Sequence, residues 1–433
     1  MIEMKKSSLL LSVSLTALLL SGCGIDNTDD NIVGNNLLVT EQTFTPTMTL
    51  PQAALGATAL AGIKSYKINY TTKDDAGNDV TASGLITIPD LSAAFYTAYK
   101  NNQIPGLDNP KHNDFTLSIV SDQHGTIFTD AESPSKTTPA TIASNNPLAI
   151  AFSANALFIT VQPDYLGYGD SNISHPFIIE KTLANSTVDM IKAAISFSNK
   201  AGLPINGQVF LSGYSEGGYA TMAAAKEIQA NHPEINLMAV APMAGPYDVE
   251  GMAIGTLSAD MMAFPPFLAY LAHAYATTYD DVTISDVVNA PYASMLSTLF
   301  DGQHTGTEIY GALPNVFNGG QETDKLFVPS YSDDIVGNSN NSLRKRFVEN
   351  SVTDWKPTMP MKLYHCTNDL IIPYAMSTLA YASFTDQGST SVELAPINSI
   401  DSNLSNPTQV HAECASAAYA QVIPWFASIR TGE

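Results

Sequence analysis

Basic residues are scarce in this chain. Its 433 residues include 19 Lys and Arg against 41 Asp and Glu, a formal charge of −22. A nucleic-acid binder needs a basic footprint to displace counterions from phosphates, so that class is excluded. Charged residues of either sign make up only 14% of the chain and apolar residues 45%. Such a composition buries a core rather than staying disordered, and its surface must be coated with Asn, Ser and Thr. Cysteine is nearly absent: three are too few for a disulfide scaffold, and neither a Cys-x-x-Cys pair nor a His-rich cluster points to zinc or another metal. The length suits two to three domains, or one large domain carrying an insertion.

At the N-terminus, Lys5 and Lys6 precede SSLLLSVSLTALLL. That apolar run is too short for a stable membrane-spanning helix and has the layout of a cleaved secretory signal. It ends at Leu20-Ser21-Gly22-Cys23, which resembles the bacterial lipoprotein signal, where the Cys becomes the lipidated first residue. The expected order is therefore a signal peptide over 1–22 and a flexible tether over 23–48, rich at first in Asn, Asp and Gly, holding a soluble body to a bacterial membrane by acyl chains. Gly24 rather than Asp after that Cys favours, by the same resemblance, the outer membrane over the inner; a secreted protein is the alternative.

Beyond the tether, strands and helices alternate. YKINYTT and VTASGLITIP flank a D-D-A-G-N-D turn over residues 66–89 and predict a β-hairpin. FTLSIVSDQHGT and LFITVQPDYLGYGD read as strands, with a crossover helix expected over 139–156 between them. Residues 185–200 predict a helix starting at an Asn or Ser cap. A strand, a sharp turn and an Ala-rich helix follow in QVFLSGYSEGGYATMAAAKEIQA; LMAVAPMAG, MKLYHCTND and SVELAPI read as buried strands, and HAECASAAYAQVIPWFASI as a closing helix. The pattern implies a mostly parallel sheet with helices on both faces. About 110 residues between Gly245 and Trp355 carry no core-strand signal, and a structureless loop of that length is improbable. They predict a helical cap over 247–356, inserted after the strand that follows the Ala-rich helix and dividing the core into 49–246 and 357–433.

Gly213-Tyr214-Ser215-Glu216-Gly217-Gly218 is a G-x-S-x-G motif with an apolar strand before it and a small-residue helix after it. That context predicts a nucleophilic serine. In the order Ser, acid, His, the base must follow both, so His112, His124 and His175 are set aside. His232 lies at the far end of the following helix, His273 and His304 in the cap, and His365 in a strand before the favoured acid. His411 remains. Asp369, at a strand end in LYHCTNDLIIP, is the acid that best fits; Asp401 and Asp386 are the alternatives. Two N–H groups must receive a developing oxyanion. Glu216, after the nucleophile, offers one, and Thr126, after His124-Gly125, the other.

With these pieces the chain resembles the α/β-hydrolase superfamily over residues 60–433. More narrowly it is similar to the secretory lipases, in Gln123 to Thr126, Pro163 to Gly169 and Gly213 to Gly218. The resemblance implies ester hydrolysis, an acyl pocket beneath the cap and no cofactor. Glu216 stands where that family more often has Gln, which puts a carboxylate beside the oxyanion site. A serine aminopeptidase or prolyl peptidase is the rival enzyme, with Glu216 or cap acids gripping a substrate ammonium, and a non-catalytic binding lipoprotein is the rival from another class. Once Cys23 is lipidated, Cys366 and Cys414 are left. Each lies three residues from a triad member, so a working triad brings them close and predicts a disulfide in an exported protein.

Overall fold

The computed structural model describes residues 43–432 apart from 56–57, 105–106, 108–112, 259–260, 263, 315–320 and 399–405. The expected signal peptide over 1–22, Cys23, His112 and Asp401 lie outside the described residues. Nine strands form the main sheet: β1 (Thr43–Leu50), β2 (Gly62–Lys73), β3 (Asp79–Asp90), β4 (Leu117–Gln123), β5 (Ile159–Pro163), β6 (Ile205–Tyr214), β7 (Asn236–Met243), β8 (Met361–Cys366) and β9 (Val392–Ile397). Their spatial order is β1-β2-β3-β5-β4-β6-β7-β8-β9. The first three pair antiparallel, β3 meets β5 antiparallel, and from β5 onward every pairing is parallel. This is the α/β-hydrolase arrangement, a mostly parallel sheet flanked by helices.

Helices of seven residues or more are α1 (Ala93–Lys100), α2 (Glu180–Lys200), α3 (Glu216–Asn231), α4 (Val249–Ser258), α5 (Pro265–Thr278), α6 (Tyr292–Leu299), α7 (Gly306–Ala312), α8 (Pro329–Gly337), α9 (Ser342–Glu349), α10 (Ala375–Asp386) and α11 (Pro407–Thr431). Side chains alternate across β6: Val209 and Leu211 join the core shared with α2 and α3, and Phe210 the core shared with α11. A strand buried on both faces reads as a continuous apolar run, as VFL does. Ala220, Ala223 and Ala224 on α3 are fully buried, and their small size lets that helix lie close to the strands. Helices α4 to α9 fall between β7 and β8, together with a short ladder pairing Met261–Met262 with Gln321–Glu322.

Four local expectations need correction. The expected tether runs to residue 48, yet Thr43–Leu50 is already strand β1, paired with β2. Helix α2 begins at Glu180, not near 185, and Ser186 sits inside it with Oγ donating to the Leu183 carbonyl. The crossover expected over 139–156 is broken into short turns of helix at Asn146-Pro147, ending in a π-helical turn over Ile150–Asn155. Strand β9 is half-exposed rather than buried, because it forms the sheet edge and pairs only with β8.

Candidate active site

Ser215 occupies the turn between β6 and α3 with φ 62° and ψ −123°. A non-glycine residue in that region is strained, and the turn persists only where its surroundings fix it. The Ser215 N–H donates to the Met243 carbonyl at 2.9 Å, and its own carbonyl accepts from the Tyr219 N–H at 3.1 Å. The flanking glycines are sterically required. A Cβ on Gly213 would collide with the Gly217 carbonyl, and one on Gly217 with the carbonyl of Gln123 at the end of β4. Glycine at 217 thus lets α3 start directly against the loop that follows β4, which contains Thr126.

Three side chains meet at this turn. His411, in the second turn of α11, places Nε2 2.9 Å from Ser215 Oγ and Nδ1 2.5 Å from Asp369 Oδ2. Asp369 follows β8 by three residues. Its Oδ1 accepts from the N–H groups of Ile371 at 2.9 Å and Ile372 at 3.1 Å, so one oxygen builds the turn and the other faces the imidazole. Burial would raise this carboxyl; hydrogen bonds from His365 and His411, with the charges those rings can carry, outweigh it and hold the group well below the usual carboxylate range. With Nδ1–H fixed by Asp369, His411 presents a lone pair at Nε2 to the serine hydroxyl.

Sequence reasoning missed three neighbours of this constellation. Tyr214 donates its hydroxyl to the His411 carbonyl at 2.7 Å and lies 3.5 Å from Asp369 Oδ2. It is inside the G-x-S-x-G motif, so position could have flagged it. His365 is fully buried, with Nδ1 2.8 Å from Ser377 Oγ, Nε2 2.8 Å from the Ile372 carbonyl and 3.5 Å from Asp369 Oδ2. The spacing His365 to Asp369 was visible but was used only to discard the histidine as a base. His175 was discarded for preceding the serine, yet its Nε2 lies 2.7 Å from Glu216 Oε1. Nothing local in the sequence marks that pair, whose members are 41 residues apart.

The other predicted residues are placed as follows. Thr126, Ser215 and Glu216 line one apolar pocket of about 40 Å³ free space, with Met252, Phe267 and Leu271 among its walls. A second hollow of about 30 Å³ shares Ala253, Leu268 and Leu271 with it and continues to Val287 and Phe347. Asp386 is exposed at the end of α10, away from these groups. Cys366 and Cys414 are joined in a disulfide, Cα atoms 5.9 Å apart. It links the end of β8, just before Asp369, to α11 one turn beyond His411. Among the described residues no group of three or more His, Cys, Asp or Glu is arranged to hold a metal ion, and no helix is long and apolar enough to cross a membrane.

Fold and geometry together define an α/β-hydrolase with a serine, histidine and aspartate in hydrogen-bonded sequence. The secretory lipase family model matches residues 134–427, and the chain belongs to that family of exported carboxylic ester hydrolases. Among solved structures it is similar to a Legionella pneumophila protein described as a candidate hydrolase, at 27% identity over 90% of this chain and 98% of that one, with a TM-score of 0.74. It is similar also to the rice cell wall degrading esterase LipA from Xanthomonas oryzae, at 25% identity over 89% and 97% of the two chains, TM-score 0.72. Candida antarctica lipase A in its closed state shares the fold, at 16% identity over 88% and 83%, TM-score 0.59. No curated protein matches this chain.

Proposed function

We propose that Ser215, His411 and Asp369 are the catalytic triad of this ester hydrolase and that it works through an acyl-enzyme. Ser215 Oγ attacks the ester carbonyl while His411 Nε2 takes the hydroxyl proton, and Asp369 stabilises the resulting imidazolium. The tetrahedral oxyanion is received by the backbone N–H groups of Glu216 and Thr126. Collapse breaks the bond to the alkoxy group, which leaves as the alcohol with the proton from His411. Water, deprotonated by the same nitrogen, then attacks the acyl-serine and releases the acid. The observation that carries this reading is the continuous hydrogen-bond path from Ser215 Oγ to Asp369 Oδ2, opening onto an apolar pocket.

The segment 247–356 serves in this reading as a cap. Its helices α4 and α5 supply Met252, Phe267 and Leu271 to the pocket wall, so an acyl chain lies beneath it and can extend into the adjoining hollow. The peptidase alternative would use Glu216 to hold a substrate ammonium; that carboxylate is turned instead onto His175, with both side chains 1% exposed. An ester or lipid substrate suits the apolar wall better. Export and attachment through lipidated Cys23 complete the proposal, with the outer membrane as the site.

A fluorophosphonate probe tests the triad. It is expected to label Ser215, and Ser215→Ala to lose both labelling and turnover of p-nitrophenyl butyrate while keeping its melting temperature. Labelling of Ser215→Ala at the wild-type rate refutes the nucleophile, and preference for amino-acid anilides over the ester restores the peptidase. Cys23→Ser is expected to move the protein from the membrane fraction to the soluble one; retention in the membrane refutes the anchor.

A further inference from the structure

His175 and Glu216 form a closed pair behind the proposed oxyanion site, and the donors and acceptors around them fix how many protons they hold. The His175 Nδ1 lies 2.6 Å from the Leu166 carbonyl. A carbonyl only accepts, so Nδ1 carries a hydrogen. The other ring nitrogen, Nε2, lies 2.7 Å from Glu216 Oε1. Two lone pairs do not sit at that distance, so a proton stands between them. The pair is then either an imidazolium with a carboxylate or a neutral imidazole with a carboxylic acid. Both forms sum to zero charge. A neutral imidazole beside a bare carboxylate leaves the short contact without a hydrogen and is excluded.

The surroundings favour that neutrality. Both side chains are buried, and the imidazole is packed by the rings of Tyr165, Tyr168, Phe177 and Tyr270. These rings also hold the loop after β4. Tyr165 donates its hydroxyl to the His124 carbonyl at 3.0 Å, and Tyr168 to the Ile127 carbonyl at 2.6 Å. Because the Tyr168 proton is engaged there, Tyr270 on α5 must donate to Tyr168, with the oxygens 2.7 Å apart. The carboxylate of Glu216 therefore ends in the cluster that fixes residues 124–127, while its own N–H begins α3 beside Ser215.

We infer that His175 is a positioning residue for ester hydrolysis: by sharing one proton with Glu216 it keeps the side chain behind the oxyanion site electrically neutral and ties the start of α3 to the loop bearing Thr126. The inference rests on the proposed catalytic reading. An unneutralised carboxylate within one residue of the nucleophile, in a medium of low effective dielectric, opposes the negative charge that develops on the substrate oxygen. It acts on the transition state more than on the uncharged ester, so it lowers kcat rather than raising KM.

His175→Gln places an amide donor where Nε2 was and keeps a hydrogen bond to Glu216, but leaves the carboxylate uncompensated. It is expected to lower kcat about tenfold or more with KM within about threefold. Adding Glu216→Gln removes the charge and is expected to recover most of that loss. A purely structural role predicts no recovery, and a double variant as slow as His175→Gln overturns the inference. Proton NMR of the free, wild-type chain supplies a readout without substrate. Two far-downfield imidazole protons are expected, one of His411 on Asp369 and one of His175 on Glu216, and Glu216→Gln should remove only the second. Absence of that resonance from the wild type overturns the single-proton bridge even if the variants fold poorly. Failure of the catalytic reading looks different: Ser215→Ala would hydrolyse esters like the wild type, with the His175 resonance still present.

Discussion

Asp122 is a buried carboxylate without a cation, and replacing it with Asn is expected to stabilise the protein in a pH-dependent way. It lies on β4, fully buried, where Oδ1 accepts from Ser212 Oγ at 2.8 Å and Tyr419 Oη at 2.7 Å, and Oδ2 from Gln162 Nε2 at 3.2 Å. Burial pushes the carboxyl up to about 6 from 3.8, and the three donors from Tyr419, Ser212 and Gln162 only partly offset it. Folding thus favours the protonated form. Below 3.8 both the folded and unfolded chains hold the proton and no penalty arises. Between 3.8 and 6 the unfolded chain releases it first, so stability falls as pH rises, and above 6 the full cost applies. At 1.36 kcal/mol for each unit, that cost is about 3 kcal/mol.

In Asp122→Asn the amide oxygen keeps Ser212 and Tyr419, while its NH2 faces the Gln162 NH2. Gln162 and Asn146 pair through both amide groups, at 2.8 and 2.9 Å. Turning both amides over presents an acceptor to the introduced NH2 and preserves that pairing. What is lost is the 3.4 Å contact from the Ala149 N–H to Asn146 Oδ1, worth about 1 kcal/mol at most. Urea unfolding is therefore expected to show equal stability for the two proteins at pH 4.5 and about 2 kcal/mol in favour of the variant at pH 8. Other carboxylates titrate alike in both chains and cancel in the difference. A gap that does not change between the two pH values, or a variant less stable at pH 8, refutes the reasoning.

Asp369→Asn keeps the oxygen that accepts from Ile371 and Ile372 but offers His411 a donor, so the wrong tautomer is expected to lower kcat roughly 10³–10⁴-fold, and loss of an anion that the fold stabilises is expected to lower the melting temperature at neutral pH. Replacing Cys366 and Cys414 together with Ala opens a 48-residue loop and is expected to lower stability by about 4 kcal/mol in the chain-entropy description; urea unfolding checks this, and treating the wild type with reductant should reproduce it. Leu271→Trp fills the shared wall of the two hollows and is expected to slow hydrolysis of p-nitrophenyl palmitate at least tenfold more than that of the butyrate, read as the ratio of kcat/KM values.

The elements that follow period rules could be read directly from the sequence, and those that depend on distant partners could not. VFLSGYSEGG places a strand, a turn and a helix within ten residues, so the elbow at Ser215 followed from local chemistry. Strand β1 lies largely inside the stretch expected to be tether, and it contains Pro46. The structure places it on the sheet edge, where the register with β2 shifts between Pro46 and Met48, a position in which a missing N–H costs no ladder bond. The start of α2 was misread because Ser186 looks like a cap, whereas its hydroxyl turns back to Leu183 within the helix. An Asp just past a strand end, as Asp369 is, suits a turn as well as a triad. Its two oxygens allow it to serve the first, with the second proposed. The contacts of His175 with Glu216 and of Asp122 with Tyr419 join residues 41 and 297 apart, and no local pattern encodes them.

The sheet order explains how such separated residues converge. The loops after β4, β6 and β8 all leave at the carboxyl edge of parallel strands, and β6 lies beside β4 with only β7 between it and β8. Consecutive strands stand close to 4.8 Å apart, so Thr126, Ser215 and Asp369 emerge within about three strand widths. The proposed base alone comes from a helix that must be brought back over that edge, and here the disulfide and Tyr214 act together: one bonds α11 covalently to the end of β8, the other holds the His411 carbonyl from the residue before Ser215. The three acids at or beneath this edge are managed by different means. Asp369 is stabilised as an anion by two histidines, Glu216 shares a proton in the proposed pair, and Asp122 retains the desolvation cost with three neutral donors. Only at Asp369 does the proposed chemistry need a negative charge. The expected gain in stability from Asp122→Asn follows from that difference in partners, since the same substitution at Asp369 would remove the one buried charge that the imidazole needs.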